Sequence, residues 1–131
     1  MTSISPIGLK CIIIDDDRVT VFMSKKLIHT YNENVVVDTF QSGLEALAYL
    51  RENSIAPETV ILLDINMPNY SGWDFLKDFE DLKMDCKVFM FSASIDTQDI
   101  EKSNTFDKVQ GFISKPLTSE KVGQLFQNTN N

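Results

Sequence analysis

Five short apolar runs constrain what this chain can fold into more than any other feature of its sequence. They are Leu9–Ile14, Val35–Phe40, Val60–Leu63, Val88–Phe91 and Gly111–Ile113. Each is rich in Val, Ile, Leu or Phe, and each is too short for a stable helix. Runs that are nearly continuously apolar, not alternating, are expected of strands covered on both faces. Between them lie helix-length segments with apolar residues at helical spacing. Val19, Phe22, Met23 and Leu27 form one such set, and Leu44, Leu47 and Ala48 another. Phe75, Leu76 and Phe79 form a third, and Val122, Leu125 and Phe126 a fourth. Thr97–Phe106 is the least patterned, with Ile100 and Phe106 as its main apolar residues. Ser42 and Glu45 have capping-box spacing, and Thr118 and Ser119 are candidate N-caps for the last helix.

A strand followed by a helix, five times over, predicts an α/β fold: a parallel sheet with helices on both faces. At 131 residues and 43% hydrophobic, the chain is expected to be a single domain over 1–131. Its core is expected over about 8–127, with Asn128–Asn131 as a frayed tail. No apolar run approaches the ~18 residues of a membrane helix, and Met1–Pro6 has neither the charge nor the apolar stretch of a signal peptide. The net charge of −7 argues against direct binding to nucleic acid and gives no sign of a membrane partner. Cys11 and Cys86 are far apart and each adjoins an apolar run, so both are expected as buried free thiols in a reducing, cytoplasmic setting. The single His29 lies on no phosphotransfer motif and is expected at the surface.

In open α/β sheets, sites form at the carboxyl ends of the strands. The first run is followed by Asp15-Asp16-Asp17, the third by Asp64-Ile65-Asn66-Met67-Pro68, the fourth by Ser92-Ala93 and the fifth by Ser114-Lys115-Pro116. Three or four carboxylates, a hydroxyl and an ammonium are thus predicted to converge on one edge. Two like charges ~4 Å apart repel by about 4 kcal/mol at an effective dielectric of about 20, so such a cluster calls for a cation. Hard oxygen ligands suit Mg²⁺, or Mn²⁺, which leaves coordination positions for water and phosphate. A metal between Asp15, Asp16 and Asp64 leaves one Asp64 oxygen free to attack phosphorus and form an aspartyl phosphate. Lys115 and the metal would neutralise charge on the transferred group, and the Ser92 hydroxyl could bond one of its oxygens. Taken singly, each residue reads as a capped turn, a loop position or a solvated side chain. Their joint placement at successive strand ends carries the argument.

Together, Ile-Ile-Ile-Asp15-Asp16-Asp17, Leu-Leu-Asp64-Ile-Asn66-Met67-Pro68 with Gly72, Phe-Ser92-Ala93 and Gly111-Phe112-Ile-Ser-Lys115-Pro116 resemble the signature of response-regulator receiver domains, in order and spacing. The resemblance spans Leu9 to Pro116 and implies a doubly wound, flavodoxin-like three-layer sandwich with a five-stranded parallel sheet in the order 2-1-3-4-5. It implies that Asp64 is the phosphoacceptor and that Asp15 and Asp16 hold Mg²⁺ with the backbone carbonyl of Asn66. It further implies that Ser92 is the switch hydroxyl, that Phe112 is the aromatic that moves with it, that Lys115 pairs with the phosphoryl group, and that the Lys115–Pro116 bond is cis. The implied donor is a histidine kinase or histidine phosphotransfer protein. The implied output face, toward a protein target, is the fourth helix, fifth strand and fifth helix. The implied activity is a phospho-switch that catalyses its own phosphotransfer and dephosphorylation, not an enzyme acting on a metabolite. Ser92-Ala-Ser-Ile-Asp96 resembles small stand-alone members of the family.

The chain departs from the family pattern in having Tyr70-Ser71-Gly72 where many members have Met-Asp-Gly, and in a more polar stretch from the fourth helix through Phe106–Gln110. Three rival readings fit less well. An Mg²⁺-dependent phosphatase with an Asp nucleophile usually carries a second acid two residues later, where this chain has Asn66. A flavodoxin-like nucleotide binder needs a phosphate loop after the first strand, where Asp15–Asp17 would repel phosphate. A pseudo-receiver that is never phosphorylated has no need of the full set of site residues.

Overall fold

The computed structural model describes residues 9–127. The expected tail at Asn128–Asn131 and the residues before Leu9 lie outside the described residues. Ten elements alternate: β1 (Lys10–Ile14), α1 (Arg18–Tyr31), β2 (Val36–Phe40), α2 (Gly43–Glu52), β3 (Val60–Asp64), α3 (Gly72–Glu80), β4 (Lys87–Ser92), α4 (Thr97–Ser103), β5 (Val109–Ser114) and α5 (Ser119–Gln127). All strand pairs are parallel, in the order β2-β1-β3-β4-β5. This is the fold that the strand–helix alternation predicts and the strand order that the family resemblance implies.

The period of two along each strand sorts side chains into two cores. Ile12, Ile14, Ile61, Leu63, Val88 and Met90 face one side, where Ala46, Leu47 and Leu50 of α2 and Phe75, Leu76 and Phe79 of α3 cover them. Cys11, Ile13, Val60, Leu62, Phe89 and Phe91 face the other, beneath Ile28 of α1 and Val122, Leu125 and Phe126 of α5. Both cysteines are free and buried, and burial pushes both thiols up to about 12, so they are inert.

The structure corrects several expectations. β5 begins two residues before Gly111, at Val109, because an edge strand need not be apolar: Gln110 is exposed. In α1, Val19, Phe22 and Met23 are 70%, 61% and 53% exposed. The buried residues of this helix are Ser24 and Ile28, with Val21 and Leu27 partly buried beside them, so a serine stands in the apolar stripe. In α2, Leu44 and Ala48 are exposed, and Ala46, Leu47 and Leu50 form the covered face. Ser42 accepts from the Glu45 amide, but the full reciprocal capping box is at Ser71 and Asp74. Thr118 caps α5 by accepting from the Lys121 amide. α4 stops at Ser103, short of Phe106, and has Ser103 as its only buried residue. His29 is half-buried, and its Nε2 donates to the Val35 carbonyl at 3.0 Å.

Candidate functional site

The carboxyl edge of the sheet gathers the predicted polar residues. β1 delivers Asp15, whose backbone N–H donates to the Phe40 carbonyl of β2 at 3.0 Å. Asp15 is fully buried. Its Oδ1 accepts from the Asp17 amide at 2.9 Å, and its Oδ2 receives no well-directed hydrogen bond, only the Lys115 ammonium at 2.8 Å. Asp64 ends β3 and is 4% exposed. Its Oδ1 accepts from the Asn66 amide at 3.2 Å and faces Lys115 at 3.5 Å. No described residue donates to its Oδ2.

One oxygen from each of Asp15, Asp16 and Asp64 lies within 4.8 Å of the others. Asp17 does not join them. It turns to cap α1, accepting from the Val19 amide at 3.1 Å and the Thr20 hydroxyl at 2.9 Å, and the Thr20 bond is the main cause of its lowered pKa. The converging set is therefore three carboxylates against one ammonium. Burial pushes the Asp64 carboxyl up to about 6, and the Asp15 charge adds to the shift while Lys115 opposes it. Burial works against the Lys115 charge, yet Asp15 and Asp64 outweigh it and hold the ammonium above its ordinary value. A buried carboxylate oxygen without a directed donor, beside two more carboxylates, is what a hard divalent cation would complete.

The loop after Asp64 is held close to the sheet. The Gly72 amide donates to the Ile65 carbonyl at 2.9 Å, and a Cβ at Gly72 would stand 2.6 Å from the Asp64 carbonyl oxygen. Only glycine fits that approach. Asn69 takes a positive φ of 70°, and the Tyr70 hydroxyl donates to Asp78 of α3. This tyrosine anchor had no signal in the sequence beyond its departure from the family pattern.

Ser92 ends β4, almost wholly buried. Its hydroxyl donates to the Ser94 carbonyl at 2.8 Å and accepts from the Ser94 amide at 3.2 Å, so it is engaged with its own loop and not with Asp64. Phe112 on β5 is half-buried against the α2–α3 core. The Lys115–Pro116 peptide is cis, and the Lys115 amide donates to the Ser92 carbonyl at 2.9 Å. The Lys115 ammonium also lies 5.2 Å from the centre of the Phe91 ring.

The class is a doubly wound α/β sandwich with an acidic, lysine-countered pocket at the carboxyl edge of its parallel sheet. The family model for the response regulator receiver domain matches residues 11–127, and the chain belongs to that family. Phosphorylation of an aspartate is the family's general function, and its members are phospho-switches, not enzymes of the ordinary kind. The chain is 30% identical over 122 residues to a two-component response regulator of Oryza sativa subsp. indica, covering 93% of this chain and 19% of that protein. It is 26% identical over 114 residues to a probable C4-dicarboxylate response regulator of Halalkalibacterium halodurans, covering 87% of this chain and 48% of the other. It thus spans half or less of the length of these curated relatives. A solved two-component response regulator from Legionella pneumophila is 26% identical, with a TM-score of 0.80 over 91% of this chain and 95% of that one. One from Cytophaga hutchinsonii is 28% identical, with a TM-score of 0.79 over 90% and 93%. No helix among the described residues is long and apolar enough to cross a membrane.

Proposed function

We propose that this chain is a cytoplasmic receiver that takes a phosphoryl group onto Asp64 from the phosphohistidine of a histidine kinase or histidine phosphotransfer protein. The observation that carries the reading is the surplus of carboxylates at the site: Asp15, Asp16 and Asp64 converge, and among the described residues Lys115 is the one cation paired with them, through Asp15 and Asp64. Asp15, Asp16, Asp64 and the Asn66 backbone carbonyl would hold Mg²⁺ or Mn²⁺. When bound, the ion would offset the excess negative charge and the charge of the incoming phosphoryl group.

Asp64 Oδ2 is the nucleophile in this reading, because it alone of that carboxylate's oxygens takes no hydrogen bond. A new O–P bond forms as the donor's N–P bond breaks, and the electron pair returns to the imidazole. Lys115 pairs with the phosphoryl oxygens. The Ser92 hydroxyl would leave Ser94 to bond one of them, and Phe112 would follow into the space vacated, changing the face of α4, β5 and α5 offered to a protein target. The same residues would later support attack by water and autodephosphorylation. Beside the pocket, α1 exposes Val19, Phe22 and Met23 next to Arg18, Lys25 and Lys26, an apolar and basic surface in an acidic chain. A donor reaching Asp64 would cover part of it.

Intact-protein mass after incubation with acetyl phosphate and Mg²⁺ tests the reading. The wild type should gain one phosphoryl group, and Asp64→Asn or added chelator should abolish the gain. No gain, or an equal gain in the variant, would leave a pseudo-receiver that acts through a constitutive partner.

A further inference from the structure

The ammonium of Lys121, in the first turn of α5, donates three hydrogen bonds: to the Ser114 carbonyl at 2.9 Å, the Ser114 hydroxyl at 2.8 Å and the Pro116 carbonyl at 3.2 Å. An ammonium has three donors, so all of them are spent on the two residues flanking Lys115. The other side of the turn is tied to β4 through the bond from the Lys115 amide to the Ser92 carbonyl. Lys115 therefore springs from a backbone gripped by β4 on one side and by α5 on the other.

The helix itself gives no reason for a lysine there. The first turn of a helix carries the positive end of its dipole, where an acid such as Glu120 is favoured and a cation is not. The α5 cap is made by the Thr118 hydroxyl and the Lys121 backbone amide, without the Lys121 side chain. What the ammonium does satisfy is the two carbonyls and the hydroxyl of the Ser114–Pro116 turn.

We infer that Lys121 is a positioning residue for Lys115, an inference that rests on Asp64 being the phosphoacceptor. The Lys115 stem is long and flexible, and its ammonium must meet Asp15 Oδ2 and Asp64 Oδ1 at 2.8 Å and 3.5 Å and then a phosphoryl oxygen. Fixing the backbone from which it springs limits where that charge can go. Lys121 touches neither Asp64 nor the transferred group.

The test compares rates of Asp64 phosphorylation by acetyl phosphate with Mg²⁺ in the wild type, Lys121→Met, Lys121→Arg, Lys115→Ala and the double variant Lys115→Ala/Lys121→Met. Thermal melts check that each variant is folded. Lys121→Met should slow the reaction about 10-fold, near the lower end of what loss of an orienting partner costs. Lys121→Arg should recover part of the rate, since a guanidinium can donate to the same oxygens. The double variant should be no slower than Lys115→Ala alone, because a residue acting through Lys115 has nothing left to position. An unchanged rate in Lys121→Met overturns the inference, and so does a full further slowing in the Lys115→Ala background. A wild type that takes up no phosphoryl group on Asp64 overturns the underlying reading and this inference with it.

Discussion

The two ends of the sheet treat charge in opposite ways. Toward the amino end, two ion pairs each match one cation to one carboxylate, and their carboxylates are at least partly exposed. Lys108 meets Asp85 at 3.1 Å with side chains 31% and 86% exposed, and Lys10 meets Asp38 at 2.9 Å with 20% and 36%. At the carboxyl end, Lys115 meets Asp15 and Asp64 with side chains 18%, 0% and 6% exposed, and Asp16 adds a third carboxylate. Matched surface pairs contribute little to stability, whereas two buried carboxylates sharing one ammonium, with the exposed Asp16 beside them, cost stability. In the proposed function, a bound cation offsets that cost.

The largest effect expected from breaking this contrast is at Lys115. Lys115→Ala leaves two buried carboxylates without their cation and should destabilise the metal-free protein by about 3 kcal/mol in denaturant titrations. The loss should be greater at pH 8 than at pH 5, because the Asp64 carboxyl, pushed up to about 6, is protonated at the lower pH and no longer needs the cation. Gly72→Ala should follow, at about 1–3 kcal/mol, since its Cβ would meet the Asp64 carbonyl oxygen. Gly123→Ala in α5, where nothing lies within 4 Å of the added Cβ, should instead raise stability by about 0.5–1 kcal/mol.

Asp64→Asn is expected to stabilise the metal-free protein at pH 7, on the order of 1–2 kcal/mol. The sign follows from a folded pKa raised from 3.8 to about 6. Over that window the folded state keeps a proton that the unfolded chain has released, so wild-type stability falls as pH rises and stays lower above it. Melting curves with and without Mg²⁺ check this, because bound metal should reverse the ranking. Lys108→Ala, at the amino end, should change stability by less than about 0.5 kcal/mol.

The contrast also accounts for what the sequence reveals. β1, β3 and β4 are covered on both faces, so continuous runs such as Val60–Leu63 announce them, and the residues just after them announce the pocket. β5 is an edge strand, and Gln110 hides its start. The α1 face is concealed by Ser24 in the buried stripe, while Val19, Phe22 and Met23 imitate a core face at the same helical spacing. Asp15, Asp16 and Asp64 are legible because strand ends converge. The diversion of Asp17 to a cap, the bonding of Ser92 to Ser94 and the grip of Lys121 on the turn around Lys115 depend on rotamers and loop paths that spacing does not encode.

The most direct test of the account locates the phosphoryl group. Borohydride reduces an acyl phosphate to an alcohol, so treating the phosphorylated protein converts the modified aspartate to homoserine, which peptide mass spectrometry can place. Conversion at Asp64, with Asp15, Asp16 and Asp17 intact, is the predicted result. Conversion at any of those three, or none in a protein that has demonstrably gained phosphate, would contradict it.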